Sequence, residues 1–370
     1  MKRLLFFIPT LSYGGAEKVL VNLLNHLDPF LFDITVLTLF DGGVNKQFLK
    51  PYVKTKSVFH KIFPGNSKIF CLFSPKMLYK HFITEDYDIV ISYLEGPTAR
   101  IVSGCTDENT KLVSWIHCKM DTEKAGAVGF RSFREAQKCY NKFDYTACVS
   151  KWTKKWFVET FDFTRPIGVL YNTIETEEIG KFADEPIQDI IFDRDVFNIV
   201  SVGKVTAVKA FMRLAHIHKR LLDDGVKNHV YILGKGNEQS KIEKYLEENG
   251  LTDSFTFIGY KTNPYQYVKA CDLYVCSSLS EGFSTSVTES LIVGTPVVTT
   301  LCSGMQEMLG ENDEYGIVTE NDEDALFDGI KKILTTPLLL EHYAEAALER
   351  GKYFSCEKTT KAVEELILSL

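Results

Sequence analysis

Two glutamates and a cluster of hydroxyl residues stand out in one stretch near the carboxyl end of the chain, CSSLSEGFSTSVTESLIVGTPVV at 276–298. The pattern predicts a strand that ends near Ser277 and a helix that begins around Ser284, where serine is a good N-cap. The loop between them holds Glu281, Gly282 and Phe283, and Thr285 follows in the first turn. Free N–H groups at such a helix start favour binding of a diphosphate.

The spacing of the two carboxylates adds to this chemistry. Glu281 precedes the predicted helix and Glu289 lies about one turn inside it. Eight residues would separate them by roughly 10 Å or more. That distance suits two carboxylates at opposite ends of a nucleotide sugar, one on hexose hydroxyls and one on ribose hydroxyls. The alternative is an acidic loop followed by a surface helix with an ordinary glutamate.

A second stretch, SVGKVTAVKAF at 201–211, places Gly203, Lys204 and Lys209 in a loop after a predicted strand. Two ammonium groups at the carboxyl end of a strand can neutralise a diphosphate and stabilise it as a leaving group. Taken singly, either lysine is more often a solvated surface charge.

Two further features precede these in the chain. FFIPTLSYGGAEKVL at 6–20 predicts a strand, a turn with Gly14 and Gly15, and a helix, although neither G-x-G-x-x-G nor G-x-x-x-x-G-K-[ST] is present. The turn is either a phosphate-binding turn or a bare strand-to-helix connection. KLVSWIHCKM at 111–120 places His117 just beyond another strand, where a packed or solvated histidine is the usual alternative.

The elements that must position these residues alternate along the chain. Short apolar runs that predict strands are separated by amphipathic segments that predict helices, which indicates parallel sheets covered on both faces. The predicted strands are 4–8, 32–39, 88–93, 111–115, 145–149 and 167–170, then 197–202, 229–233, 255–258, 273–276, 296–300 and 316–318. The series breaks in the acidic segment 173–195, which predicts a connector between two doubly wound, Rossmann-like domains. A cleft between the facing carboxyl ends of their strands is the expected active site.

These motifs, in their order and spacing, resemble the retaining nucleotide-sugar glycosyltransferases of family 4, which have the GT-B fold. The resemblance rests on G-G-A-E, the strand followed by G-K-x-x-x-x-K, and E-G-F-x-x-x-x-x-E, and it is strongest over 198–309. It implies a first domain at 1–172 that binds the acceptor and a second at 196–352 that binds the nucleotide sugar. It also implies a last helix within 353–370 that crosses back to the first domain.

The resemblance also implies roles for single residues. Lys204, which stands where the family usually has arginine, and Lys209 would grip the donor diphosphate, Glu281 the sugar hydroxyls and Glu289 the ribose. Phe283 and Ser284 would offer backbone N–H groups, and His117 would lie near the donor sugar. Gly259 and Tyr260 would contact the base, and Gly15 would let the first domain approach donor and acceptor on closure. Ala210 replaces a glycine that is common in the family after the lysine.

Composition limits the other classes of function. Charged residues make up 25% of the chain and hydrophobic residues 45%, as in globular proteins, and no signal peptide or membrane span is predicted. Nine cysteines without C-x-x-C pairs suggest a cytoplasmic location. The D-x-D triplets at 86–88, 193–195 and 322–324 are interpreted as incidental, so no metal cofactor is expected.

The charge is unevenly distributed. Residues 1–180 carry 23 Lys or Arg against 19 Asp or Glu, whereas the rest carry 19 against 30. Between Asp41 and Glu85 there is no acid, and eight lysines from Lys46 to Lys80 alternate with aromatic residues as far as Phe82. Such a run suits an anionic membrane surface or a nucleic acid backbone. The alternative is a solvated helix face with core aromatics.

The sequence therefore predicts a metal-independent, retaining hexosyltransferase that uses a nucleotide sugar, with a UDP-sugar preferred. Its partner would be a glycan acceptor, lipid-linked at the inner membrane leaflet, with no nucleic acid partner, and its role would be polysaccharide synthesis. The alternatives are a non-catalytic nucleotide-sugar-binding paralogue and a GT-B epimerase or phosphorylase.

Overall fold

Two compact units make up the chain, one formed by Met1–Ile174 with Cys356–Leu370 and the other by Glu175–Ser355. The computed structural model describes residues 1–12, 14–302 and 304–370. Tyr13 of the predicted glycine turn therefore lies outside the described residues.

The first unit contains a parallel sheet of seven strands in the order β3-β2-β1-β4-β5-β6-β7. The strands are β1 (Lys2–Ile8), β2 (Phe32–Phe40), β3 (Lys54–Phe59), β4 (Ile89–Ser92), β5 (Lys111–Ile116), β6 (Tyr145–Cys148) and β7 (Ile167–Val169). The helices are α1 (Gly15–His26), α2 (Asn66–Leu72), α3 (Pro75–Phe82), α4 (Pro97–Val102), α5 (Glu123–Gly126), α6 (Phe133–Tyr140) and α7 (Lys151–Phe161), with a 3₁₀ turn at Val44–Phe48.

The second unit contains a parallel sheet of six strands in the order β10-β9-β8-β11-β12-β13. After α8 (Thr176–Ala183) come β8 (Phe197–Val202), α9 (Phe211–Asp223), β9 (Asn228–Leu233), α10 (Gln239–Glu248), β10 (Phe255–Gly259), α11 (Tyr265–Ala270) and β11 (Leu273–Cys276). They are followed by α12 (Thr285–Val293), β12 (Val297–Thr300), α13 (Met305–Leu309), β13 (Ile317–Thr319), α14 (Glu323–Thr335) and α15 (Leu339–Gly351). Single 3₁₀ turns lie at Ala207–Lys209 and Lys352–Phe354.

The chain returns to the first unit in its last helix, α16 (Cys356–Ser369). This helix packs against α1. Its Glu364 carboxylate accepts a hydrogen bond of 2.9 Å from the backbone N–H of Asp28, and its Ile367 carbonyl accepts one of 3.0 Å from the Lys2 ammonium. The helix therefore packs on the first unit beside α1 and the start of β1.

The apolar strand runs explain both sheets. Leu4 to Ile8 of β1 and Val230, Ile232 and Leu233 of β9 are almost completely buried, because helices cover both faces of each sheet. The predicted doubly wound fold class is confirmed, and the predicted strands lie within two residues of the observed ones.

The sequence-based prediction missed one strand. Strand β3 pairs with β2 at the edge of the first sheet, and its first four residues, Lys54 to Ser57, are exposed. Lysines on an edge strand remove the apolar signal by which strands are recognised and discourage pairing with other chains. The predicted connector also contains a helix, since α8 lies within it and packs on α11 and α12.

Candidate functional site

Each sheet reverses its strand order at one point, and the loops at that point are where α/β proteins place ligands. In the second unit the reversal lies between the neighbouring parallel strands β8 and β11. The loop with Lys204 and Lys209 follows β8, and the loop with Glu281 follows β11. Strand topology therefore brings the two predicted motifs to the same edge of the sheet.

The side chains of these two loops meet. The Lys209 ammonium lies 2.6 Å from the Glu281 carboxylate, and both side chains are mostly buried, with 24% and 12% exposed. The Ser278 hydroxyl donates a second hydrogen bond of 2.5 Å to the same carboxylate oxygen. Lys209, Glu281 and Ser278 therefore form one polar cluster at the carboxyl edge of β8 and β11.

Backbone contacts fix this cluster. The Ser277 hydroxyl donates to the carbonyl of Lys209 at 2.8 Å, and the N–H of Leu279 donates to the carbonyl of Val208 at 2.8 Å. From the next strand, Thr300 donates to the carbonyl of Ser278 at 2.6 Å. Ser277 and Ser278 were not predicted as site residues, although two serines directly after an apolar strand were a usable signal.

The electrostatics of the cluster favour a charged lysine. Burial is the largest single influence and by itself would lower the pKa of Lys209. The charge and hydrogen bond of the Glu281 carboxylate, together with the nearby Cys276 and Cys302, outweigh burial, and the pKa is raised. Lys204 differs, because its side chain is exposed and forms no ion pair with any residue that the structure describes. Lys209 is thus held in place, whereas the Lys204 ammonium is free to contact an anion.

The start of α12 completes this edge. The Ser284 hydroxyl is the N-cap and accepts a hydrogen bond from the N–H of Val287 at 3.4 Å, as predicted for this serine. Thr285 is the first helical residue, and Gly282 lies in the loop before it. Phe283 is buried with its ring 5.7 Å from that of Phe354, so it holds the loop onto the unit.

Glu289 lies inside α12 and is buried, with 8% of the residue exposed. The Tyr265 hydroxyl donates to its carboxylate at 3.4 Å. A carboxylate that is buried in this way is not the ordinary surface glutamate of the alternative interpretation. Whether it binds a ribose stays a prediction.

Glycines shape the loops beside the lysines. A Cβ at Gly203 would lie 3.1 Å from the Lys209 Cε, so a side chain there would push the lysine stem. Gly259 has a φ of +82°, and a Cβ on it would lie 3.3 Å from the Lys235 Cε. Tyr260, the next residue, is 55% exposed. Lys235, an exposed residue after β9, is a basic group at this edge that the sequence-based prediction missed.

Ala210 adopts the left-handed conformation, with φ of 50° and ψ of 39°, at the junction between the lysine loop and α9. An alanine in this region costs roughly 1–2 kcal/mol.

We expect Ala210→Gly to raise the free energy of unfolding by about 1 kcal/mol. The backbone strain relieved in the folded state should exceed the entropic stabilisation that a glycine gives to the unfolded chain. Urea denaturation measures this. Ala207→Gly in the same loop, where φ is negative, should lower stability instead, and equal effects of the two changes would contradict the explanation.

The sheet of the first unit also has a carboxyl edge at which predicted site residues lie. The strand order reverses between β1 and β4, and Gly15, the exposed first residue of α1, follows β1. His117 follows β5, and its backbone N–H donates to the Glu95 carboxylate at 3.0 Å. Glu95, which follows β4, is a second residue that the sequence-based prediction did not identify.

His117 is buried among rings and is not solvated. Its ring lies 4.8 Å from that of Tyr93, which lies 4.9 Å from that of Trp115. Its Nε2, the Tyr93 hydroxyl and the Trp115 Nε1 are buried polar atoms without a hydrogen-bond partner among the described residues. Burial lowers the pKa of His117 to about 3, so the ring is neutral.

This pKa predicts a pH dependence of stability. The usual histidine pKa is about 6.5, so the stabilisation from the neutral ring is present above about pH 6.5 and is lost as the pH falls toward 3. Between pH 7 and pH 5, wild type should lose about 2 kcal/mol more unfolding free energy than His117→Gln. Urea denaturation at both pH values checks this. The exposed His81 offers a control, since His81→Gln should behave as wild type. Parallel losses in all three proteins would contradict the burial of a neutral ring.

One aspartate of each D-x-D triplet accepts a hydrogen bond from a backbone N–H. Asp322 caps α14 by accepting from the N–H of Ala325 at 2.8 Å, and Asp193 accepts from the N–H of Asp195 at 2.9 Å. Asp88 accepts from the N–H of Arg3 at 2.7 Å. The expectation that no metal is needed stays a prediction.

Two doubly wound parallel sheets of this kind define the GT-B fold. Comparison with known families identifies the group: residues 184–350 match the model of glycosyl transferases group 1, and residues 13–178 match that of glycosyltransferase family 4. The chain belongs to this glycosyltransferase group, related to bacterial lipopolysaccharide and polysaccharide glycosyltransferases.

Individual proteins show how far the similarity extends. The chain is 32% identical over 232 residues to the N-acetylgalactosamine-N,N'-diacetylbacillosaminyl-diphospho-undecaprenol 4-alpha-N-acetylgalactosaminyltransferase of Campylobacter jejuni, a match that covers 62% of this chain and 61% of that protein. It is 24% identical to the lipopolysaccharide core biosynthesis glycosyltransferase LpsD of Rhizobium meliloti, over 52% of this chain and 54% of LpsD. The crystal structure of Anabaena HepE in complex with UDP shares the fold, with a TM-score of 0.77 and 17% identity over 100% of both chains.

Proposed function

We propose that the protein is a retaining glycosyltransferase that moves a hexose or N-acetylhexosamine from a nucleoside diphosphate sugar to a hydroxyl group of a glycan. UDP is the proposed nucleotide and a lipid-linked glycan the proposed acceptor. The observation that carries the proposal is the Lys209–Glu281 cluster, which lies at the carboxyl edge of β8 and β11 in the same loop region as the start of α12.

In this proposal each residue of the edge binds a different part of the nucleotide sugar. Lys209 and the exposed Lys204 neutralise the diphosphate, and the free N–H groups of α12 bind its oxygens. Glu281, held by Lys209 and Ser278, accepts hydrogen bonds from the hydroxyls of the transferred sugar, and Glu289 accepts those of the ribose. The base lies against Gly259 and Tyr260.

Stabilisation of the leaving diphosphate drives the reaction in this proposal. As the bond between the anomeric carbon and the phosphate oxygen breaks, negative charge grows on the diphosphate, where fixed ammonium and N–H donors are most effective. The acceptor hydroxyl attacks from the face that the diphosphate leaves and gives its proton to a phosphate oxygen. The anomeric configuration is retained without a carboxylate nucleophile.

The relatives support the choice of substrates. The Campylobacter protein is named for an undecaprenol diphosphate-linked acceptor, and HepE has been crystallised with UDP and with UDP-glucose. Among the described residues, no helix is long and apolar enough to cross a bilayer.

A donor screen tests the proposal. UDP-, GDP- and ADP-sugars are incubated with a polyprenyl diphosphate-linked sugar, and released nucleoside diphosphate and glycosylated lipid are both measured. We expect one UDP-sugar to be turned over at least about tenfold faster than the GDP- and ADP-sugars. Tight binding of a nucleotide sugar with no release of nucleoside diphosphate would instead support a non-catalytic paralogue.

Gly15 provides a separate test of its proposed role in transfer. Because it is exposed at the first position of α1, in the unit that does not contain Lys209, Gly15→Val should harm turnover more than nucleotide affinity. We expect kcat to fall at least about tenfold while the Kd for UDP changes less than about threefold. Steady-state kinetics and calorimetric titration measure the two. Equal losses in both would show that Gly15 contributes to nucleotide binding.

A further inference from the structure

One surface of the first unit combines exposed apolar side chains with lysines. It is formed by α2, α3 and the segment before them, and we call it the α2–α3 surface. Its apolar members are Ile62, Ile69, Leu72, Phe73 and Met77, of which Leu72 is 75% and Ile62 65% exposed. Its basic members, all exposed, are Lys61, Lys68, Lys76 and Lys80.

The exposure is selective. Other aromatic rings of the same segment pack inward: Phe59 lies 5.9 Å from Phe70 and 5.6 Å from Phe82, and all three rings join the core of the unit. The alternative of core aromatics thus holds for these phenylalanines. It does not account for the aliphatic side chains of the α2–α3 surface, which point to solvent although α2 is firmly packed through Phe70.

The backbone that presents Leu72 and Phe73 is rigidly held. The buried Arg100 donates to the carbonyls of Phe70 at 3.0 Å and Phe73 at 2.8 Å, and pairs with Glu135 at 3.0 Å. Arg131 donates to the carbonyls of Leu72 and Phe73, both at 3.1 Å. These bonds satisfy the carbonyls at the end of α2. The protruding apolar residues therefore belong to a fixed structure and not to a loose loop.

The lysines of this surface differ from their neighbours in the chain. Lys46 pairs with Asp41, Lys54 with Asp33 and Lys56 with Glu85. In contrast, Lys61, Lys68, Lys76 and Lys80 have no carboxylate within ion-pair distance in the described parts of the chain. No acid occurs between Asp41 and Glu85 to compensate them. The surface thus carries four uncompensated positive charges beside its apolar side chains.

We propose that the α2–α3 surface docks the protein on an anionic lipid bilayer. The apolar side chains enter the boundary between headgroups and acyl chains, and the four lysines contact headgroup phosphates. Apolar insertion together with electrostatic attraction is the combination that gives stable peripheral binding. Nucleic acid binding fits less well, since the apolar members of this surface are mainly aliphatic and cannot stack on bases as aromatic rings do.

The position of the surface suits the proposed function. This is the only step of the docking proposal that rests on the proposed function. The surface follows the carboxyl end of β3, the same edge of the sheet as Gly15 and His117. The Cys71 thiol of α2 lies 3.8 Å from the carbonyl of Gly129, and a Cβ on Gly129 would contact Pro97 in the segment after β4. Docking would therefore bring this edge close to the bilayer that holds a lipid-linked acceptor.

Vesicle flotation tests the proposal with the full chain and vesicles of phosphatidylglycerol and phosphatidylcholine in equal parts. Wild type should float with these vesicles and not with pure phosphatidylcholine, and binding should weaken as salt is raised. Lys76→Gln/Lys80→Gln should reduce the partition coefficient about 25-fold, or about fivefold per lysine. Leu72→Ser/Met77→Ser should reduce it at least about tenfold.

Matched controls come from the other unit. Lys241→Gln/Lys244→Gln changes two lysines of α10 whose side chains are 71% and 75% exposed, and Ile191→Ser/Leu338→Ser changes two residues that are 97% and 73% exposed. Both controls should float as wild type does. Circular dichroism verifies that every variant is folded. Donor hydrolysis without membranes should be unchanged in Lys76→Gln/Lys80→Gln, which separates failure of docking from failure of the proposed chemistry.

Three results would overturn the proposal. The first is equal flotation of the α2–α3 variants and their controls. The second is that the wild-type protein does not bind anionic vesicles but shifts an oligonucleotide in a native gel, which would assign the surface to nucleic acid. The third is that the α2–α3 variants lose a dimer in sedimentation but still float with the vesicles, which would assign the α2–α3 surface to contact with a second copy of the chain.

Discussion

Lys209→Met is expected to lower kcat for sugar transfer at least about a hundredfold, because it removes a fixed positive charge from the proposed leaving group. In the structure this ammonium lies 2.6 Å from the Glu281 carboxylate. Its loss should also weaken binding of UDP, since the diphosphate loses a charged partner. Steady-state kinetics with the donor found in the screen, together with calorimetric titration of UDP, measure both effects.

The same change should also reduce stability, and this effect must be separated from catalysis. Lys209→Met leaves the Glu281 carboxylate, only 12% exposed, without its cation. Removing one partner of a buried pair is strongly destabilising, here by about 2 kcal/mol. The double variant Lys209→Met/Glu281→Gln removes both charges, so it should recover most of the stability yet remain inactive.

A matched control is available on α9. Lys219 pairs with Asp223 at 2.7 Å, a bond of nearly the same length, but this pair is solvent-exposed and away from the carboxyl edge of the sheet. Lys219→Met should change kcat less than about twofold and leave the urea midpoint of unfolding essentially as in wild type, since exposed ion pairs contribute little to stability. Activity that returns in the double variant, or an equal loss in the Lys219 variant, would refute the assignment of Lys209 and Glu281.

Gly234→Ala should be the most damaging conservative change in the loops of the second unit. Gly234 has a φ of +149°, and a Cβ on it would overlap the carbonyl oxygen of Gly203. Its N–H donates to the carbonyl of Gly259 at 2.9 Å. The residue therefore joins the loops that follow β8, β9 and β10, and a methyl group there must displace the segment that carries Lys204.

We expect Gly234→Ala to lower the free energy of unfolding by about 3 kcal/mol, from backbone strain together with the steric overlap. UDP affinity should fall at least about tenfold in the protein that remains folded. Gly250→Ala is the control, since Gly250 also has a positive φ, +66°, but apart from its own chain neighbours no atom of the described residues lies within 4 Å of the added Cβ. Its cost should be about 1 kcal/mol from conformation alone, with UDP affinity unchanged. If the two variants behave alike, the overlap at Gly203 has no role.

The sequence-based predictions succeeded where local patterns carry the information. The strands β8 and β11 and the N-cap at Ser284 follow from short-range signals. Strand β3 was missed because its exposed lysines hide the apolar alternation that identifies strands. Glu95, Lys235 and Gly234 were missed because each gains its meaning only from residues that follow another strand. Ser278 differs, since it stands directly after an apolar strand and was a usable signal that the prediction did not use.

The sequence by itself determined the doubly wound fold class, the glycosyltransferase group and the residue types that a nucleotide sugar would need, because periodicity and motif spacing are local properties of the chain. Only the tertiary structure decided that Lys209 contacts Glu281 across 72 residues and that His117 is buried and neutral. It also decided that four lysines near α2 and α3 have no acidic partner among the residues that the structure describes. The physical reason is that burial and charge pairing depend on strand order, which brings together the ends of strands that are distant in sequence.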